Sequence, residues 1–331
     1  MFNLIEKRRY FFIFSTIVII AGVALMIYST VTTGQPFHMG IDFVGGSVYE
    51  LKFTEAGATE NSIREVFAQF GQENVVLQQL GEPEDYRWSV RAGFNELEEQ
   101  QQQLIDALDA VAPLDRDSLR VERVSATIGQ EVTRAAFFAV IVATVVVTGF
   151  IVIAFRQVPN ALRYGVCAIL AMLHDVLIVL SIMAFASLLF GWEIDALFLT
   201  AVLTVVGFSV QDTIVLFDRI RENIPKHLGE PYETIVNRSV LETIHRSLAT
   251  QLNAFFIMIA ILLFGGETIK QFIAVLAVGF VTGTYSSIFI AVPLLVSWQK
   301  GEIPFVNQHS GVTSAVRTRR EDDDELIEVT E

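Results

Sequence analysis

Six stretches of this chain are apolar for long enough to cross a bilayer: residues 10–31, 135–155, 164–190, 196–217, 247–264 and 272–298. A helix needs roughly 17–25 such residues to traverse a hydrocarbon core about 30 Å thick. Backbone amides find no water there, so the stretches must be helices packed side by side, with every amide paired internally. The composition agrees, since 52% hydrophobic residues and a mean hydropathy of +0.50 exceed what a soluble globule carries. The sequence therefore predicts an α-helical polytopic membrane protein with six transmembrane helices.

The charges at the ends of these stretches orient them. Lys7, Arg8 and Arg9 precede the first, which lacks an A-x-A cleavage pattern and is longer than a signal-peptide core, so it reads as an uncleaved span. The 156–163 turn carries Arg156 and Arg163 and no acid. The 218–246 loop holds Arg219, Arg221, Lys226, Arg238 and Arg246, whereas the 191–195 turn has Glu193 and Asp195 and no base. Short cytoplasmic loops are enriched in Lys and Arg, which predicts cytoplasmic termini, residues 1–9 and 299–331, and an external domain at 32–134. The net charge of −14 comes mainly from acids between 42 and 131 and from the tail EDDDELIEVTE, expected to be disordered. No basic tract argues for nucleic acid. The single cysteine, Cys167, lies in an apolar run, which excludes a disulfide framework or a Cys-based metal site.

Between 32 and 134 the pattern changes to the periods of a small soluble domain. Strands are predicted at 48–53, 75–80, 86–92 and 119–124. Helices are predicted at 60–70, with Ile63, Val66, Phe67 and Phe70 inward and Thr59 as cap, and at 95–111, with Leu97, Leu104, Ile105, Leu108 and Val111 inward. The order βαββαβ is the ferredoxin-like arrangement.

Polar residues inside the spans carry the functional argument. Asp212 sits in GFSVQDTIVLFDRIREN, residues 207–223, on an apolar helix. An ionised side chain in hydrocarbon costs about 2.5–3.5 kcal/mol on insertion scales, so it faces a bundle interior, takes a partner or neutralises. Arg246 begins the fifth span and is the best candidate counter-ion, with Gln251 and Asn253 adding hydrogen-bonding capacity nearby. Arg219 and Arg221 suit interfacial anchors. His174 and Asp175 form a second polar point, in the third span. For His174 a neutral imidazole bonded across helices competes with a proton-relay role, and for Asp175 structural and direct functional work are both open. GIDFVGGS, residues 40–47, lacks the Gly-Lys-Ser/Thr ending of a phosphate loop and reads as a flexible turn. Gly279 and Gly283 make a close-packing GxxxG.

Taken together, GIDFVGGS with its Gly40, Asp42, Gly45 and Gly46, the string ending in Asp218, Arg219, Arg221, Glu222 and Asn223, PYETIVNRSVLETIHRSLATQLN, and the GGETIK turn resemble the smaller member of the SecD/SecF family of protein-export membrane subunits. The resemblance runs to about Trp298. It implies half of an RND-like transporter in the cytoplasmic (inner) membrane, with no enzymatic activity and no cofactor or metal, and protons as the coupling ion. It also implies a SecD partner beside the SecYEG translocon, with SecA, YajC and YidC possible companions, and unfolded exported polypeptide as the substrate. The family's intramembrane acid falls on Asp212 and its arginine on Arg246. Two other classes stay open. A free-standing RND-like exporter of lipids or small molecules would use the same carboxylate, and an intramembrane aspartyl protease would need Asp175 and Asp212 to share a proton.

Overall fold

A computed structural model describes residues 4–94, 97–156 and 161–302. The acidic tail and the middle of the 156–163 turn, both named above, lie outside them. After a 3-10 turn at Ile5–Lys7 comes α1 (Arg8–Thr33), which stops at Gly34, whose φ of +80° gives a left-handed cap. An extramembrane domain follows: β1 (His38–Met39), α2 (Ile41–Val44), β2 (Gly46–Lys52), α3 (Glu60–Gln69), β3 (Val76–Leu80), β4 (Arg87–Ala92), α4 (Glu98–Val111) and β5 (Arg120–Val124). The chain then runs through α5 (Ala126–Ala154), α6 (Ala161–Phe190), β6 (Glu193–Ile194), α7 (Ala196–Lys226), α8 (Tyr232–Phe264), α9 (Glu267–Ser286) and α10 (Val292–Gln299). A π-helical stretch, Ser287–Ala291, joins α9 and α10 into one crossing, so six helices are long and apolar enough to span a membrane. Pro293, just beyond it, has no N–H to return to the preceding turn, which favours a local change of pitch.

In the domain, β2 to β5 form an antiparallel sheet in the order β3-β4-β2-β5, with α3 and α4 as the crossovers. Alternation along β2 sends Tyr49 and Leu51, with Phe53 beyond, into one apolar core with Ile63, Val66 and Phe67 of α3 and Leu104, Ile105 and Leu108 of α4. The Tyr49 and Phe67 rings meet edge to face at 5.3 Å. Thr59 caps α3 as expected, its side chain accepting the Ser62 N–H at 3.2 Å. Leu97 does not turn inward; it precedes α4 and stands exposed, since a residue at the N-cap is not yet on the helix's apolar stripe.

GIDFVGGS is not the flexible turn expected from its glycines. Ile41 and Phe43 are buried, β1 pairs in parallel with β6, and Gly40 N–H donates to the Ile194 carbonyl at 2.7 Å. Gly45 has a φ of +78°, and a Cβ there would lie 2.8 Å from the Ala126 backbone, so the glycine serves close approach as well as turning. The domain thereby stands on the turn between α6 and α7. Its open sheet face, with Glu50, Arg87, Arg91 and Glu122, roofs a cavity of about 390 Å3 whose floor includes Asp42, Glu193, Asp195 and Lys270.

At the opposite end of the bundle, Leu4 N–H donates to Asn237 Oδ1, and Arg8 pairs with Glu233 at 3.0 Å and Glu302 at 2.6 Å. The 218–246 segment is not a loop. It consists of helical extensions of α7 and α8 joined by a turn at 227–231, because Arg219 reaches Glu222 at 2.9 Å and Glu242 at 2.7 Å, Arg221 reaches Asp218 at 2.7 Å, and Asn223 donates to Ser239 and Glu242. Of the arginines expected to be interfacial anchors, Arg219 is thus a member of an ion-pair network and Arg221 pairs within its own helix.

Within the bundle, α6, α7 and the last crossing are half-buried or more, whereas α1, α5 and α8 turn most of their surface outward. The apolar core of the bundle includes one cluster around Phe155, Tyr164, Phe217 and Val240, another around Met183, Phe198, Ala201 and Val205, and a smaller one of Met258, Ile273, Ala277 and Phe280 between α8 and α9. Gly279 lets α9 close on α7: a Cβ there would run into the Val205 side chain, and one at Gly283 would sit 3.3 Å from Ser209. Gly149, by contrast, has open space beside it. Gly279→Ile should therefore lower stability by about 1–3 kcal/mol or more through overpacking. Thermal unfolding of the purified protein in detergent should show that fall, with Gly149→Ile close to wild type.

Candidate functional site

The three most buried helices meet at a polar layer between the first two apolar clusters. Asp175 of α6 is fully buried, and its neighbours on the helix bury apolar surface on either side, Met172 in one cluster and Val179 in the other. Its Oδ1 lies 3.1 Å from His174 Nδ1, and its Oδ2 accepts the hydroxyls of Ser286 at 2.7 Å and of Ser209. Those partners come from α6, α9 and α7, so one carboxyl group ties three helices together. Hydrogen bonds to an ionised acceptor contribute roughly 1.5–3 kcal/mol each, enough for these donors to offset what it costs to keep an acid at this depth. The hydroxyls continue the network: Thr213 and Ser287 lie 2.9 Å apart, and the Ser209 carbonyl accepts from Thr213 at 3.1 Å and from Ser287 at 3.3 Å. The π turn begins at Ser287, and widened turns of this kind often mark functional positions.

Asp212 lies on the same helix as Ser209 and Thr213 and is buried at the contact of α7 with α8. Its partner is Gln251, whose Nε2 donates to Oδ2 at 2.7 Å. The expected pairing with Arg246 is not made: Arg246 is exposed, and among the described residues it forms no ion pair with Asp212. Helix phase explains this. Five residues separate Arg246 from Gln251, about 140° around the helix, and Gln251 shares its inward side with buried Ser247. Asn253, about 200° round from Gln251, is exposed and, among the described residues, is not a partner of Asp212. Asp175 and Asp212 have separate hydrogen-bond partners, so the close dyad of an aspartyl protease is not formed.

Chemically, the Gln251 amide suits an acid that changes state. Its NH2 donates to the carboxylate, while its Oε1 is buried without a partner and would accept from a carboxylic acid after rotation. Ser209, Thr213, Ser286 and Ser287 were not singled out from sequence. Hydroxyls in apolar helices commonly bond the carbonyl one turn back, as Thr144, Thr148 and Thr204 do here, so their presence alone does not separate a network from helix-internal bonding.

The N-terminal end of α7 carries a second pair of acids. Asp195 caps the helix, accepting the Phe198 N–H at 2.6 Å, and Asp42 Oδ2 accepts the Ala196 N–H at 2.9 Å. The glycine-rich segment is in this way bonded to the helix that bears Asp212. Arg91 reinforces the joint, donating to the Met39 carbonyl at 2.9 Å and pairing with Glu193.

Comparison with known proteins fits this arrangement. A family described as "Protein export membrane protein SecD/SecF, C-terminal" matches residues 103–301, and one described as "SecD/SecF GG Motif" matches residues 30–56. The chain is 42% identical over 303 residues to a protein translocase subunit SecF of Anaerolinea thermophila, covering 91% of this chain and 96% of that one. It is 39% identical to the same-named protein of Thermobaculum terrenum, covering 90% and 94%. Among solved structures it resembles SecDF, a translocon-associated membrane protein from Thermus thermophilus, with a TM-score of 0.73 and 28% identity over 90% of this chain. The match spans only 39% of the SecDF chain.

The glycine motif is thus the domain's latch on α7, and its pH response has a definite sign. Burial pushes the Asp195 carboxyl up from its usual range and nearby Asp42 pushes it further, against the Phe198 N–H. A raised folded value means that the group's contribution is fully present below the unfolded carboxylate range, near pH 4, and is lost as pH rises through the folded value. The thermal midpoint of the wild type should therefore gain, relative to Asp195→Asn, as pH is lowered from about 7 to about 5. Parallel midpoint curves for the two proteins would show that Asp195 does not report on the latch.

Proposed function

The chain belongs to the SecD/SecF family of protein-export membrane proteins, and from that premise we propose that it is a proton-driven subunit of the Sec export machinery, with Asp212 as its coupling residue. The observation that carries this is a buried acid on α7 held by an amide that serves both of its protonation states. Arg246 supplies the other half of the cycle. Exchange of Gln251 for Arg246 at the Asp212 carboxylate needs a turn or slide of α8, or extension of the long arginine side chain, and gives two discrete arrangements of α7 against α8. Loss of the proton favours the guanidinium, and its gain favours the amide. Each proton driven inward releases about 2.3 kcal/mol per 100 mV of potential, enough to bias such a pair of states. Because α7 is one continuous helix from the latch at Asp195 to the ion pairs around Asn223, its displacement reaches the external domain directly.

The termini are cytoplasmic and the sheet domain is external in this reading, since Lys and Arg concentrate at the end that holds Arg8, Arg219 and Arg238. A SecD-like second half completes the transporter, and this agrees with the larger SecDF chain, of which the present chain matches 39%. The SecYEG channel, SecA, YajC and YidC are its expected surroundings, and emerging polypeptide is its load. A free-standing exporter of lipids or small molecules is less favoured, because the similar chains are named as protein translocase subunits.

Export into vesicles carrying this chain, its SecD partner and the translocon, with an imposed proton gradient, tests the mechanism. Asp212→Asn should bring gradient-stimulated export down to the level seen without a gradient, and Arg246→Met should remove most of the stimulation. Arg221→Gln breaks only an exposed pair worth about 0.3–0.5 kcal/mol and should keep most of it. Full stimulation in Asp212→Asn would exclude the mechanism. For orientation, Glu98→Cys and Leu228→Cys in a Cys167→Ala background should react differently with an impermeant thiol reagent on intact cells, with labelling only at position 98.

A further inference from the structure

The coupling mechanism leaves unused the most deeply buried acid of the bundle. Asp175 is sealed between two apolar clusters, and among the described residues no Lys or Arg pairs with it. Its neighbour His174 is also buried, stacked against the Tyr285 ring at a centroid distance of 6.0 Å, and Nδ1 is engaged by Asp175. The other ring nitrogen, Nε2, is buried and has no hydrogen-bond partner among the described residues. An imidazole bound at one nitrogen by a carboxylate and open at the other is built to take up and release a proton.

The surroundings add few competing charges. Among the described residues, the titratable groups that the helices packed on α6 carry near this level are Asp212, three residues along α7 from Ser209, and the Tyr285 phenol of α9, which stacks on His174 and accepts from Ser15 of α1 at 3.1 Å. The charged residues of the other helices packed on α6 stand at helix ends: Arg8 and Arg9 of α1, Glu131 and Arg134 of α5, Lys270 of α9, and Lys300 after α10.

We propose that His174 and Asp175 form a second proton-binding pair, distinct from Asp212, whose occupancy sets how tightly α6 holds α7 and α9. The proposal deepens the proton-coupled reading of Asp212 and rests on it for its role in export, but not for the binding of the proton. In the empty state a neutral imidazole donates Nδ1–H to the Asp175 carboxylate. An arriving proton forms one N–H bond at Nε2 and leaves an imidazolium–carboxylate pair without net charge; departure breaks that same bond, and no other reactant is needed. The hydroxyls of Ser209 and Ser286 stay on Oδ2, but a carboxylate whose charge is balanced by an imidazolium attracts them less than an unbalanced one does. Through Ser209, Thr213 and Ser287 the change reaches the turn of α7 that bears Asp212.

Proton uptake by the full chain in lipid nanodiscs, followed with a pH indicator after a downward pH step, tests this. Asp175→Asn, which leaves a buried imidazole without a carboxylate to balance a second charge, should take up about one proton per chain fewer than wild type, and Asp175→Asn with Asp212→Asn about two fewer. Ser286→Ala should keep the count and shift the midpoint of one step, and it decides the matter if Asp175→Asn fails to fold. Curves for Asp175→Asn and Ser286→Ala that superimpose on wild type would overturn the proposal. An uptake one proton short in Asp175→Asn but unchanged in Asp212→Asn would keep the second site and overturn the coupling role of Asp212 instead.

Discussion

A carboxylate sealed from water must be met by donors, and in this bundle that requirement fixes where three helices stand. Asp175 takes hydroxyls from α7 and α9 and the imidazole beside it, so α6, α7 and α9 can be neither far apart nor freely rotated. The local sequence serves the same end. Small residues, Gly279, Gly283 and Ser209, let the backbones approach, and the π turn before Pro293 starts at the serine next to Ser286. Apolar clusters above and below exclude water and make each missing hydrogen bond expensive.

The same helix that receives this tie also carries contacts at both of its ends. α7 has 31 residues and spans about 46 Å. Its first turn is bonded to Asp42 of the glycine-rich latch, its middle holds Ser209 and Asp212, and its last turns are tied to α8 through Arg219 and Asn223. A displacement of α7 is therefore mechanically connected to the sheet domain without any flexible linker between them. The domain's own fold is simple by comparison. One sheet face is covered by α3 and α4, and the other, polar face is turned to the membrane-side cavity, where Arg91 and Glu193 join the two parts.

What the sequence determined by itself is the set of features that depend on local pattern. Apolar length gave six crossings, the switch of period gave the order of strands and helices, and Thr59 gave a cap, because hydrophobic burial and capping act over a few residues. The acids Asp175 and Asp212 were equally legible, since a charge in an apolar run stands out whatever the fold. Their partners were decided only by the tertiary structure. Arg246 is the stronger electrostatic candidate on paper, yet the phase of α8 turns it outward and presents Gln251. The hydroxyls around Asp175 look like any others in apolar helices until α7 and α9 are brought against α6, and the glycines of GIDFVGGS look like slack until Ile41 and Phe43 are buried, Gly45 closes on Ala126 and β1 pairs with β6. Sequence periodicity sets which face a residue occupies within its own helix, while packing between helices distant in sequence decides what that face meets.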